Sequence, residues 1–66
     1  MPLIQINLAE GRRDEEKRAL LAAVTEAAHT SIGVPTAAIR VWIHEFRETE
    51  YMAAGELLAD KRSASS

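Results

Sequence analysis

No cysteine occurs in this chain of 66 residues. Disulfide staples, thiolate nucleophiles and thiolate-bound zinc are therefore excluded. Histidine occurs only at His29 and His44, and two imidazoles do not make a metal site on their own. Neither sign of charge dominates: 8 basic residues are interspersed with 10 acidic ones, for a net charge of −2. A nucleic-acid module would show a basic stripe, so no nucleic-acid partner is expected. No apolar run approaches the roughly 20 residues needed to span a bilayer. Nor does a basic region followed by an apolar stretch open the chain, so no secretory signal is expected. A soluble cytoplasmic protein with no membrane association is the expectation.

What is present is apolar mass out of proportion to length, since 47% of the residues are hydrophobic. A lone chain of this size buries only about 60% of its unfolded surface, and its core contributes little net stability. Self-association, with apolar faces buried between symmetric copies, is the expected resolution.

Residues 3–8 alternate, with Ile4, Ile6 and Leu8 on one face and Leu3, Gln5 and Asn7 on the other. This is the pattern of a strand with one buried face. Gly11 marks a turn, and Asp14, Glu15 and Glu16 supply three acids suited to a helix start, with Asp14 the expected cap. Leu20, Leu21, Val24, Ala27, Ala28 and Ile32 recur at spacings of three and four, predicting a helix from Asp14 to Ser31 or Ile32. Gly33 suits the left-handed position after it, and Pro35 prevents continuation. Residues 36–38 allow one helical turn. Residues 39–46 alternate again, with Ile39, Val41 and Ile43 opposite Arg40, Trp42 and His44. A helix of about 18 residues between two strands favours a parallel crossover. Residues 51–55 fit a small hairpin or ordered loop, and the polar residues 61–66 are expected to fray. The fold class is α+β: one β-α-β unit with parallel strands and a C-terminal hairpin, in a single domain spanning 1–66.

The chemistry starts at Pro2. A small second residue lets the cell remove Met1, leaving a free secondary amine. Modest desolvation or a nearby cation would bring its pKa from about 8 towards neutrality, where a general base works best. Parallel strands place Pro2 and Arg40 on the same edge of the sheet. Arg12 lies in the turn at the far end of the first strand, where a neighbouring copy would have to bring it to Pro2. Arginine holds carboxylates in a fixed fork and stays charged at any working pH. A base between guanidinium groups suits proton abstraction beside the carbonyl of a small anionic substrate, with the cations stabilising the enolate.

Four stretches, in order and spacing, carry a resemblance. They are Met1-Pro2-Leu3-Ile4-Gln5-Ile6, Glu10-Gly11-Arg12 followed by Asp14-Glu15-Glu16-Lys17, Ile39-Arg40-Val41, and Gly55-Glu56-Leu57. Together they cover nearly the whole chain, and it resembles the small members of the 4-oxalocrotonate tautomerase family. The resemblance implies a hexamer built as a trimer of dimers. It also implies a cofactor-free reaction, with no metal, that ketonises a 2-hydroxy-dienoate such as 2-hydroxymuconate, as in aromatic-compound degradation. Pro2 would be the base. Arg40 from a neighbouring subunit would bind the 2-oxygen and its adjacent carboxylate, and Arg12 the distal carboxylate of a dicarboxylate substrate. Tyr51 falls where the family usually has a phenylalanine wall. Ala53-Ala54 replaces a commonly glycine-rich segment, and Arg13 stands where a small capping residue is common. Trp42 is more simply interface packing, and Arg13 solvent-facing. His44 reads as structural, and His29 as a favourable charge at a helix C-terminus. A rival reading on the same site adds water to a haloacrylic or acetylenic acid, with Glu50 activating the water. If Met1 is retained, Pro2 is an amide and a non-catalytic oligomeric binding protein becomes the expectation.

Overall fold

Two parallel strands joined by one long helix frame the molecule. The computed structural model describes residues 1–65; the sequence expectation for Ser66 lies outside the described residues. Strand β1 (Leu3–Ala9) pairs with β2 (Arg40–Phe46) in the register Leu3↔Arg40 through Ala9↔Phe46. The ladder continues past both ends. Arg40 N–H donates to the Pro2 carbonyl at 3.1 Å, and Glu10 N–H to the Phe46 carbonyl at 2.9 Å. Helix α1 (Asp14–Ile32) makes the crossover, and a 3₁₀ turn at Thr36–Ala38 leads into β2.

Alternation sorts the sheet faces as expected. Ile4, Ile6, Leu8, Val41 and Ile43 are partly buried, and α1 packs on β2 with Leu20, Leu21, Val24 and Ala28 also partly buried. Ile39, just before β2, is 7% exposed and is the one fully buried residue among those described. The predicted apolar stripe runs out before the helix does: Ala27 is exposed and Ile32 is 61% exposed. At about 1.5 Å per residue the helix is longer than the strands it packs on, at about 3.3 Å per residue, so its C-terminal turn overhangs.

The helix start differs from expectation in one respect. Arg13, not Asp14, is the N-cap, and Asp14 is the first helical residue. The reason lies three residues on. Glu16 Oε1 accepts from Arg13 N–H at 3.0 Å, while the Arg13 carbonyl accepts from the N–H groups of Glu16 and Lys17. The reaching glutamate satisfies the cap whatever the cap side chain is. The other end is as anticipated, with Gly33 at φ 72° and its N–H on the His29 carbonyl. His29 Nδ1 lies 2.6 Å from the Val34 carbonyl oxygen and donates to it.

After β2 a 3₁₀ turn at Glu48–Glu50 leads to a small antiparallel hairpin, β3 (Met52–Ala53) with β4 (Glu56–Leu57). Its two-residue turn, Ala54-Gly55, has φ 54° and 82°, both in the left-handed region that a type I′ hairpin turn requires. Helix α2 (Leu58–Ser65) follows at once. This corrects the expectation of a frayed tail from residue 61. The polar residues hold because Arg62 Nη1 donates to the Glu10 carbonyl at 3.2 Å and to Glu48 Oε2 at 3.1 Å. Asp60 in the first turn and Arg62 in the last also suit the helix dipole.

The chain leaves much apolar surface open. Its accessible area is 4984 Å², against about 4,200 Å² for a compact monomer of this mass. Its radius of gyration is 15.1 Å, against about 11 Å for a compact domain of this length. Leu3, Trp42 and Met52 contribute to the excess, and the first two lie on the sheet face turned away from α1.

Candidate active site

The sheet ladder decides where the chemistry-bearing residues stand. Pro2 directly precedes β1 and is partly buried, while Met1 beyond it is 79% exposed. The Pro2 carbonyl is held by Arg40 N–H, so the two residues meet through the backbone at one edge of the sheet. The Arg40 side chain turns back within its own chain. Its Nη1 donates to the Ala37 carbonyl at 2.8 Å and to the Ile39 carbonyl at 3.3 Å. Those carbonyls engage one nitrogen of the guanidinium, at the same edge as Pro2.

Arg12 stands at the other end of β1, about 20 Å of strand away. It lines a shallow open cleft of about 90 Å³ with Leu8, Glu16, Lys17 and Leu20. Ligand pockets begin at about 300 Å³, so one chain supplies only part of one. Arg12 Nη1 lies 3.7 Å from Glu16 Oε2. Lys17 Nζ lies 3.4 Å from Glu45 Oε2 and 3.5 Å from Asp14 Oδ1, tying the start of α1 to the end of β2. Partial desolvation pulls the Lys17 ammonium down. The hydrogen bond and charge of Glu45, with Asp14 adding to them, outweigh it and leave Lys17 above its ordinary value.

Tyr51 also belongs to this far end. Its ring stacks on Phe46 with centroids 5.0 Å apart and planes 20° apart, and its carbonyl accepts from Leu58 N–H. Glu50 closes the 3₁₀ turn just before it, with its N–H on the Arg47 carbonyl. Arg13 is exposed and paired with Glu15 at 3.2 Å and Glu16 at 3.6 Å, as a solvent-facing cation would be. Trp42 and His44 share the exposed sheet face with Arg40, opposite Gln5 and Asn7 respectively.

Within one chain, then, the ladder unites Pro2 with Arg40 and leaves Arg12, Tyr51 and Glu50 at the opposite end. Glu16 and Lys17 line the cleft beside Arg12, and neither was singled out from the sequence as part of a site. Their spacing of four and five from Arg12, across a turn that starts a helix, was the available signal. Among the described residues, no helix is long and apolar enough to cross a membrane.

Comparison with known proteins bears on this geometry. The profile of the tautomerase enzyme family matches residues 2–61. The chain is 42% identical over 60 residues to a 2-hydroxymuconate tautomerase of Bacillus subtilis (strain 168), covering 91% of this chain and 97% of that protein. It superposes with a TM-score of 0.92, at 38% identity, on TomN, a 4-oxalocrotonate tautomerase homologue in the tomaymycin biosynthetic pathway; 98% of this chain and 100% of that one are covered. A heterohexamer 4-oxalocrotonate tautomerase from Chloroflexus aurantiacus J-10-fl gives a TM-score of 0.88 at 35% identity, over 91% of this chain and 97% of that one.

Proposed function

The chain belongs to the tautomerase family and is an isomerase of the 4-oxalocrotonate tautomerase kind; on that premise we propose that it ketonises a 2-hydroxy-dienoate such as 2-hydroxymuconate through the amine of Pro2. Once Met1 is removed, the Pro2 nitrogen is a secondary amine with a lone pair. It takes the proton of the substrate's 2-hydroxyl. The O–H bond breaks, the 2-carbonyl forms, the conjugated double bonds shift, and the prolinium returns the proton to the carbon chain. No electrons are gained or lost overall, so no cofactor is required. The Arg40 guanidinium of a neighbouring subunit receives the 2-oxygen and its adjacent carboxylate, where negative charge develops. Arg12 receives the distal carboxylate, and Tyr51 forms a wall that keeps the site dry.

A hexameric trimer of dimers completes the site, and the excess exposed area and the split site support a multi-subunit arrangement. The observation that carries the reading is the division of the site. Pro2 and Arg40 are joined by the backbone at one edge, while Arg12 and Tyr51 lie on the order of 20 Å off. Only a second copy brings the two ends together. The test starts with the intact mass of the purified protein, expected to lack one methionine, followed by turnover of 2-hydroxymuconate. Pro2→Ala, which leaves a primary amine of different basicity and greater freedom, is expected to lower kcat/KM by about 100-fold or more. An unchanged rate would remove Pro2 as the base.

A further inference from the structure

The cleft that carries Arg12 is already internally neutralised. Arg12 faces Glu16 Oε2 at 3.7 Å, and the other oxygen of the same carboxylate takes the Arg13 backbone N–H at 3.0 Å. The cleft's second cation, Lys17, is held by Glu45 and Asp14. Arg12, Arg13 and Lys17 thus stand among Asp14, Glu15, Glu16 and Glu45, and the remaining lining of the cleft is Leu8 and Leu20. A site dedicated to a second carboxylate would offer an unpaired guanidinium. Here an arriving carboxylate shares a largely exposed guanidinium with Glu16, 3.7 Å away.

We infer that Glu16 tunes substrate specificity at this end of the site: it competes for Arg12 and so narrows the preference for a dicarboxylate over a dienoate with an uncharged far end. The inference rests on the reading that Arg12 meets the substrate's far end. An apolar tail lies against Leu8 and Leu20 without disturbing the Arg12–Glu16 pair. A carboxylate tail still gains from Arg12, but less than it would without the neighbouring Glu16 charge. The pair is partly solvated, with side chains 64% and 39% exposed, so its competition is worth about two- to five-fold in affinity.

Glutamine is the informative replacement. Glu16→Gln removes the competing charge, while the amide oxygen can still accept from Arg13 N–H, so the helix cap survives. Two unreactive ligands with the same six-carbon skeleton, muconate (hexa-2,4-dienedioate) and sorbate (hexa-2,4-dienoate), isolate the effect of the second carboxylate. Isothermal titration on the assembled protein is expected to show a sorbate-to-muconate Kd ratio that rises about two- to five-fold in Glu16→Gln. The rise is expected to vanish when Arg12→Ala is added to the same background, a coupling that a purely structural role for Glu16 would not produce. Glu16→Asn makes the same measurement if the glutamine variant does not fold. An unchanged ratio, a gain that survives without Arg12, or no muconate binding by any variant overturns the inference. Selectivity shifting as expected in a protein that fails to convert 2-hydroxymuconate overturns the proposed reaction and leaves Glu16's role standing.

Discussion

The two ends of β1 are built differently. At the Pro2 end the positions are held by backbone: Arg40 N–H on the Pro2 carbonyl, the Leu3↔Arg40 register, and Ile39 buried next to them. At the Ala9 end the ladder continues through Glu10 N–H on the Phe46 carbonyl, and side chains are added to it: the Phe46–Tyr51 stack, the Lys17–Glu45 pair, and Arg62 reaching Glu10 and Glu48. A backbone ladder tolerates sequence change, because every residue except proline carries the same donor and acceptor. Exposed pairs and stacks depend on the residues that form them and are individually weak. A base has to be placed rigidly, whereas a substrate's far end can be recognised by groups that vary. Changes at the first end should therefore impair turnover of every substrate, and changes at the second should fall hardest on a substrate whose far end is a carboxylate.

The sharpest way to break this division is subunit mixing. Pro2→Ala and Arg12→Ala proteins are each expected to be severely impaired. Unfolded and refolded together in equal amounts, they should recover roughly a quarter of wild-type activity, because half the sites regain Pro2 and half of those regain Arg12 from another copy. No recovery would mean that each chain builds its site alone, or that Arg12 has no part in it. Next in size is Ile39→Ala, which opens a cavity beside the Pro2 edge. Denaturant unfolding should show a loss of about 2–5 kcal/mol, and a smaller loss would show that the first end is not anchored there. Third, Ala54→Gly relieves a left-handed φ of 54° in the hairpin turn. It should raise stability by about 1 kcal/mol without moving kcat, and an effect on kcat would mean that the hairpin does more than close the far end.

The smallest effect is pH-dependent. Lys17 is raised above its ordinary value of 10.5 by Glu45 and Asp14 acting against desolvation. A cation whose folded pKa is raised stabilises fully below its unfolded pKa, and that stabilisation is lost as pH rises through the folded value. The stability gap between wild type and Lys17→Gln should hold near neutral pH and close in the strongly alkaline range. A gap that persists there would assign it to the packing of the lysine stem.

Much of the frame was legible before any coordinates. Alternation at 3–8 and 39–46 gave both strands and their faces, and Gly33 with Pro35 gave the end of α1, because these are local rules of sterics and periodicity. The misplaced cap, the unforeseen helix α2 and the overhanging Ile32 share another origin. Arg13 becomes the cap through Glu16, and α2 is secured by Arg62 reaching groups 52 and 14 residues away in sequence. Ile32 lies exposed because α1 outruns the strands it packs on. Each depends on where distant residues arrive. The same holds for the candidate site: Pro2, Arg12, Arg40 and Tyr51 could be named from motif spacing, but Glu16 and Lys17 join the cleft only once α1 is set against β1 and β2.

The sequence by itself determined the β-α-β order, the parallel pairing and the membership of the family, since periodicity, turn residues and motif spacing are written along the chain. Parallel pairing also put Pro2 and Arg40 on one edge and Arg12 at the other; only the tertiary structure decided that Arg12 sits with Glu16 and shares a cleft with Lys17, Leu8 and Leu20. A salt bridge and a shared cleft are facts of distance, and distance between residues far apart in the chain is set by the ladder and the packing rather than by spacing.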